Sequence, residues 1–254
     1  MESIIFVRLM GGMGNQMFQY AAGLLQKKVT NGKLYLQKAV ENSHDNTDYR
    51  DGLFTNGIKY DGLLPYHISL YQEDGFAPWN PNNYKYSTLL YGYFQNYSIL
   101  SGILPEFRNH ILENLSKQRK DISNKYNITS RSGFIHIRRG DYVKLGWELD
   151  ATKYYSKAIN MCNIDKWYII SDDIEWCKEN FNKNNFIIIE ESDPLLVMAL
   201  MSLITDAAII ANSTFSWMGA YLGCGLKSNS VIYPICWIKT GTPDLFPEEW
   251  IGLD

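Results

Sequence analysis

Two arginines stand side by side in the run Phe134-Ile135-His136-Ile137-Arg138-Arg139-Gly140-Asp141-Tyr142. Successive side chains of a strand alternate between faces, so Phe134, His136 and Arg138 share one side and Ile135 and Ile137 the other. The alternation predicts Arg138 at the strand's carboxyl end, where parallel sheets bind ligands. Neighbouring guanidinium groups are unfavourable there unless each finds a partner. A diphosphate is one such partner, because the planar guanidinium fork matches pairs of phosphate oxygens. At about 4 Å and an effective dielectric near 20 the attraction is on the order of 4 kcal/mol before desolvation. Arg139 points differently and is expected to brace the scaffold by pairing with Asp141 or another carboxylate. A surface ion-pair cluster is the plainer account of the same residues.

Three other segments carry polar groups at element ends. Met10-Gly11-Gly12-Met13-Gly14 separates the apolar run Ile4–Leu9 from a helical pattern starting near Asn15. A strand, glycines and a helix bring backbone N–H groups toward an anion, which makes Gly12 and Gly14 candidates, although a tight turn that needs glycine explains the loop as well. Met17 stands where a dinucleotide fingerprint needs its third glycine, and the next strand, Lys33–Leu36, has no acid for a ribose. Both facts argue against a nicotinamide oxidoreductase. In Asn212-Ser213-Thr214-Phe215-Ser216-Trp217 the hydroxyls sit at helix-capping positions and are able to donate to phosphate, although capping alone explains them. Ser171-Asp172-Asp173 ends another strand; its carboxylates suit a guanine edge, a ribose, or the cap of the next helix. No Asp-x-Asp triplet occurs in the chain, so no metal is expected to hold a nucleotide diphosphate.

The elements that must position these groups alternate. Strands are predicted at Ile4–Leu9, Lys33–Leu36, Phe134–Arg138, Trp167–Ser171, Phe186–Glu190, Ala207–Ala211 and Ser230–Pro234. Helices are predicted after Asn15 and over Ser98–Leu104, Glu106–Tyr126, Lys153–Met161, Ile174–Asn180, Leu195–Leu203 and Phe215–Leu222. Between Ala39 and Tyr91 the pattern loosens, and loops with short elements are expected. The alternation indicates an α/β fold with a doubly wound parallel sheet. The polar stretch Asn124–Ser132 sets the expected boundary between domains 1–130 and 131–254.

With 254 residues and 46% hydrophobic content the chain is long enough for a sizeable core. A net charge of −3 argues against nucleic acid as a partner. Cys162, Cys177, Cys224 and Cys236 show no zinc spacing and are expected as free buried thiols in a reducing compartment. The first residues lack a secretory pattern and no apolar run is long enough to span a bilayer, so a cytoplasmic location is expected, with peripheral membrane association compatible with it. The Asn-x-Ser/Thr triplets at Asn96, Asn114, Asn127 and Asn212 are then chance matches or serve other roles. Trp79, Tyr84, Tyr86, Tyr91 and Tyr93 suit either stacking on a sugar or a core.

Taken together, Gly11-Gly12-Met13-Gly14-Asn15-Gln16-Met17-Phe18-Gln19-Tyr20-Ala21, Gly92-Tyr93-Phe94-Gln95, the His136–Tyr142 segment, Ser171–Cys177 and Asn212–Trp217 resemble the bacterial inverting α1,2-fucosyltransferase family. The resemblance implies a GT-B fold of two Rossmann-like domains facing a cleft, the N-terminal one on the acceptor side and the C-terminal one binding GDP-fucose. It implies metal-independent transfer of fucose, with inversion, from GDP-fucose to the 2-hydroxyl of a galactose-terminated glycan, with no cofactor. His136 and Arg138 would contact the donor, Arg138 at the β-phosphate, with Ser213, Thr214 and Phe215 beside the diphosphate. Asp172 would lie near guanosine, Asn15 would reach toward fucose or phosphate, and Arg139 would be structural. The base is left open: a His or one of the nearby carboxylates Asp141, Glu148 and Asp150, or none of these. A fucosyltransferase of α1,6 or protein-O type and a non-catalytic sugar- or nucleotide-binding module are the alternative readings.

Overall fold

Short apolar runs bounded by turn residues become the strands of two parallel sheets. The computed structural model describes residues 2–38, 47–74, 79–84, 86–237 and 244–254. Its contacts divide the chain into two units, one reaching to Asn114 with Asp244 and Leu245, the other starting at Leu115 and including Phe246–Asp254. The division precedes the 130/131 boundary read from the sequence.

The first unit contains β1 (Ile4–Arg8), α1 (Met13–Thr30), β2 (Lys33–Gln37), β3 (Ile58–Tyr60), β4 (Ser69–Gln72), β5 (Thr88–Tyr91), α2 (Tyr97–Leu100) and α3 (Leu104–Asn114). Its sheet runs β3-β2-β1-β5-β4, with every pairing parallel. Strand order therefore reverses beside β1, between it and β5. Helix α1 starts two residues ahead of the expected Asn15. It buries Met17, Tyr20 and Ala21, and Lys27 and Lys28 in its last turn complement the helix dipole. β3, β4 and β5 fall in the stretch read as loops and short elements, whose residues 39–46, 75–78 and 85 lie outside the described residues. Of the tyrosine-rich group, Trp79 is buried in a cluster with Tyr71 and Phe94, whereas Tyr86 and Tyr93 are exposed.

The second unit contains α4 (Ser116–Lys125), β6 (Ser132–Ile137), α5 (Gly140–Leu145), a π turn at Ala151–Tyr155 and α6 (Ser156–Met161). It continues through β7 (Lys166–Ser171), α7 (Ile174–Asn180), β8 (Phe186–Ile188), α8 (Pro194–Leu203), β9 (Ala207–Ile209), α9 (Thr214–Gly223), β10 (Val231–Pro234) and β11 (Ile251–Leu253). The parallel sheet runs β11-β10-β9-β6-β7-β8. The chain winds outward from β6 through β7 to β8, then returns to β9 on the other flank, which is the dinucleotide-fold order. All of β6 is buried, as a central parallel strand covered on both faces must be. Ile135, Ile137, Trp167, Ile169 and Ile209 pack with Tyr154 and Tyr155 on one face. Helix α8 packs between α4 and α9, and Arg119 on α4 donates to the carbonyl and hydroxyl of Ser202 at 3.2 and 2.9 Å. Those contacts assign α4 to this unit.

The cysteines form no disulfide; Cys177 and Cys224 are buried, but Cys236 is exposed, against the expectation of burial. No described helix is long and apolar enough to cross a membrane. Three of the Asn-x-Ser/Thr asparagines have structural work. Asn96 accepts from the Ile99 N–H as a helix cap, Asn114 donates to the Leu53 carbonyl, and Asn212 is buried.

Candidate functional site

In the second unit the strand order reverses between β6 and β9, and the carboxyl ends of these strands carry most of the residues singled out from the sequence. β6 ends at Ile137, so Arg138 is the first residue beyond it. Its guanidinium donates to Asp141 at 2.7 Å through Nη2 and pairs with Asp172 at 2.9 Å through Nη1. The Tyr142 ring lies 5.5 Å beneath it. Asp172, at the end of β7, also accepts the backbone N–H of Arg139 at 2.8 Å, so both of its oxygens are engaged with the double-arginine segment. This is the position the family resemblance sets near guanosine.

Arg139 takes a different seat. Its Nε donates to Asp173 at 2.9 Å and its guanidinium stacks 4.1 Å over Trp176. Asp173 also accepts the Trp176 N–H and so caps α7. The bracing role expected of Arg139 is thus carried by Asp173, and Asp141 is paired with Arg138. Asp173 and Trp176 were legible only as a strand-end motif. Their three-residue spacing puts both within reach of one guanidinium, a pairing no local pattern announces.

Gly140 opens α5 where the backbone passes close to Asp172. A Cβ there would stand 2.6 Å from Asp172 Oδ2, so only glycine admits the carboxylate at its present place. Tyr142, two residues on, donates its hydroxyl to the Asn212 carbonyl at 3.0 Å and ties α5 to the segment after β9.

That segment leads into α9. Ser213 is its N-cap in extended conformation but makes no side-chain capping bond, unlike Asp173 on α7 and Asp193 on α8. Ser216 instead accepts the Ala211 N–H at 3.0 Å. Capping therefore does not account for Ser213, and the positive end of α9 is directed beyond the sheet edge. The half-buried Phe215 ring lies 5.7 Å from that of His136.

His136 is buried, and Tyr155 donates to its backbone carbonyl at 3.3 Å. Burial, helped by the positive charge of Arg138 and opposed by Asp172, lowers its pKa from 6.5 to about 4, so the ring is neutral at pH 7. Two buried polar atoms flank this edge without a hydrogen-bond partner, His136 Nδ1 and Asn212 Oδ1. Buried polar atoms are normally satisfied, so these two stand out at this edge. Of the three base candidates, Asp141 holds Arg138 and Asp150 accepts the Lys153 N–H at 3.1 Å, while Glu148 is exposed.

Gly12, Gly14 and Asn15 belong to the first unit, at its own reversal beside β1. Gly14 is buried inside α1 and Gly12 is the N-cap. The glycine that the turn demands is Gly11, at φ +73°, where a Cβ would also stand 2.6 Å from Asn15 Nδ2. Two buried glutamines hold the loop. Gln19 accepts the Met10 N–H at 2.8 Å and donates to its carbonyl at 3.1 Å, and Gln16 donates to the Gly11 carbonyl at 2.9 Å. Their roles were missed in the sequence; polar residues at helical spacing directly behind a glycine loop were the available signal.

The profile described as Glycosyl transferase family 11 matches residues 2–254. O-antigen biosynthesis glycosyltransferase WbnK of Escherichia coli is 30% identical, over 96% of this chain and 99% of its own length. The alpha-1,2-colitosyltransferase of Escherichia coli is 28% identical, over 99% of each. Among solved structures, fucosyltransferase NodZ from Bradyrhizobium aligns with a TM-score of 0.54 at 10% identity, covering 88% of this chain and 94% of that one. POFUT1 in complex with GDP gives 0.54 at 12% identity, covering 91% and 97%. At those identities the likeness is one of fold, and it places the two α/β units in the GT-B class.

Two outcomes follow from the geometry. Gly140→Ala should destabilise the chain by roughly 1–2 kcal/mol through displacement of a hydrogen-bonded charge. In an Asp172→Ala background the same change should be nearly neutral; equal losses in both backgrounds, measured by denaturant unfolding, would contradict the contact. The depressed pKa of His136 means that its stabilising contribution is present above pH 6.5 and is lost as pH falls through about 4. An NMR titration of the folded protein should find its imidazole changing near pH 4, and a midpoint near 6.5 would disprove its burial in neutral form.

Proposed function

We infer the function of this chain from its membership: it belongs to glycosyl transferase family 11, and it is a glycosyltransferase. We propose that it transfers L-fucose from GDP-fucose to the 2-hydroxyl of a terminal galactoside, with inversion and without a metal. The observation that carries the proposal is Arg138 at the end of β6, next in the sheet to β9, whose following helix starts with an uncapped Ser213. A guanidinium and a helix N-terminus at the reversal of a doubly wound sheet suit a nucleotide diphosphate. They supply positive charge that carboxylate-bound metals supply elsewhere.

In the proposed reaction the acceptor oxygen attacks the anomeric carbon of fucose as its bond to the β-phosphate oxygen breaks. GDP leaves with the bonding electrons, and the negative charge developing on it is stabilised by Arg138 and the start of α9, with Ser213, Thr214 and Phe215 alongside. His136, neutral, contacts the donor beside Phe215. Arg138 holds two carboxylates without the donor, so an incoming diphosphate competes for it. Asp141, in the first turn of α5, is proposed to give way and take the acceptor's proton.

The name of one relative favours a second reading, colitose as the transferred sugar, since that relative at 28% identity is an alpha-1,2-colitosyltransferase.

Calorimetry separates the roles. Arg138→Ala should weaken GDP binding at least tenfold, about 1.4 kcal/mol. Asp141→Asn should keep GDP binding and lose turnover. Wild-type affinity in the first variant, or normal turnover in the second, would remove the role given to that residue. The activity is tested with GDP-fucose and a panel of galactose-terminated glycans in EDTA, followed by NMR linkage determination. An α1,2 product formed undiminished in EDTA is expected. A different linkage, a requirement for added manganese, or transfer only from an activated colitose donor would each overturn the corresponding part.

A further inference from the structure

Helix α5 buries none of its residues, so a hydrophobic core does not explain its place at the end of β6. A closed ring of three hydrogen bonds joins it to the segment before α9. The Tyr142 hydroxyl donates to the Asn212 carbonyl at 3.0 Å, and Asn212 Nδ2 donates to the Trp147 carbonyl at 3.1 Å. The Trp147 N–H then returns to the Tyr142 carbonyl at 2.9 Å. Gly146 makes the return possible, because at φ +63° it ends the helix in the left-handed region that favours glycine. The Trp147 indole also stands edge-on to the Tyr142 ring, with centres 5.6 Å apart. Burial pushes the pKa of the Tyr142 hydroxyl above its ordinary value, so the group stays protonated and remains a donor.

Tyr142 touches both halves of the proposed diphosphate grip. Its ring lies 5.5 Å from the Arg138 guanidinium, and a contact over the ring face leaves the in-plane N–H groups to oxygens. Its hydroxyl holds the peptide that leads from Asn212 into Ser213 and α9. A peptide is planar, so fixing the Asn212 carbonyl also fixes the direction of the Ser213 N–H. That N–H donates to the Ala211 carbonyl at 2.8 Å and closes the turn ahead of the helix, while the Ala211 N–H is held by Ser216 at 3.0 Å. The turn is therefore braced from within, and a bond to its carbonyl places the start of α9 with it.

We propose that Tyr142 is a positioning residue that sets the span between the Arg138 guanidinium and the start of α9, and so fits the site to two linked phosphates rather than one. Asn212 and the Trp147 backbone keep that arm in place. The proposal rests on the reading that Arg138 and the start of α9 hold the donor's diphosphate.

The test is calorimetry with GDP and with GMP on the wild type and on Tyr142→Phe, which keeps the ring and removes only the hydroxyl. Tyr142→Phe should weaken GDP binding about fivefold, the scale of one hydrogen bond's net contribution. GMP binding should change by less than about twofold, because a single phosphate needs no fixed span. The unfolding temperature of the variant should stay within a few degrees of the wild type, so that its affinities report on the folded site. Tyr142→Leu, which loses the ring as well, should lose more GDP affinity than Tyr142→Phe. Unchanged GDP affinity in Tyr142→Phe, or equal losses with GDP and GMP, would overturn the proposal and leave the reading of the site standing. A wild type that binds GDP no more tightly than GMP would instead refute that reading, and the proposal with it.

Discussion

A guanidinium at the end of a buried strand sets the terms for the second unit. Arg138 cannot follow six buried residues of β6 without neutralisation, and the chain meets that demand with Asp172 from the next strand and Asp141 from the next helix. The arrangement then propagates. Asp172 needs room, which fixes glycine at 140. It also takes the Arg139 N–H, which turns the Arg139 side chain away toward Asp173 and Trp176 and so joins the start of α7 to the same cluster. The price of the cluster is desolvation of several charges, and charges so held are well suited to exchange one carboxylate for a phosphate.

The first unit solves a similar geometric problem with neutral groups. At the reversal beside β1, amides from Gln16, Gln19, Gln95 and Asn15 hold a glycine loop and one another through hydrogen bonds. A network of amides orients donors and acceptors without a strong field, whereas the second unit concentrates charge.

The legible parts of the sequence are those whose signal is local. β1, β6, β7 and β9 are continuous apolar runs because both faces are covered, and the alternation in β6 was enough to bring Arg138 to the strand's end. β3 and β4, exposed edge strands of three and four residues, carry no such run, and α5 has no buried residue to give it a period. Helix α4 was readable as a helix but not as part of the second unit, since only Ile122 of its ten residues is buried and its attachment runs through Arg119 to Ser202. Partner choice within the site was hidden for the same reason. Asp172 and Asp173 are adjacent in sequence, and only the fold sends one to Arg138 and the other to Arg139.

The central claim is that the carboxyl edge between β6 and β9 receives a nucleotide diphosphate. A titration of the isotope-labelled protein with GDP, followed by NMR through the Arg138 guanidinium and the backbone amides of Ser213, Thr214 and Phe215, addresses it most directly. Saturable shifts centred on those four residues, with the Arg138 side chain among the largest, are the expected result. GDP binding that leaves them in place and perturbs another part of the chain would contradict the account.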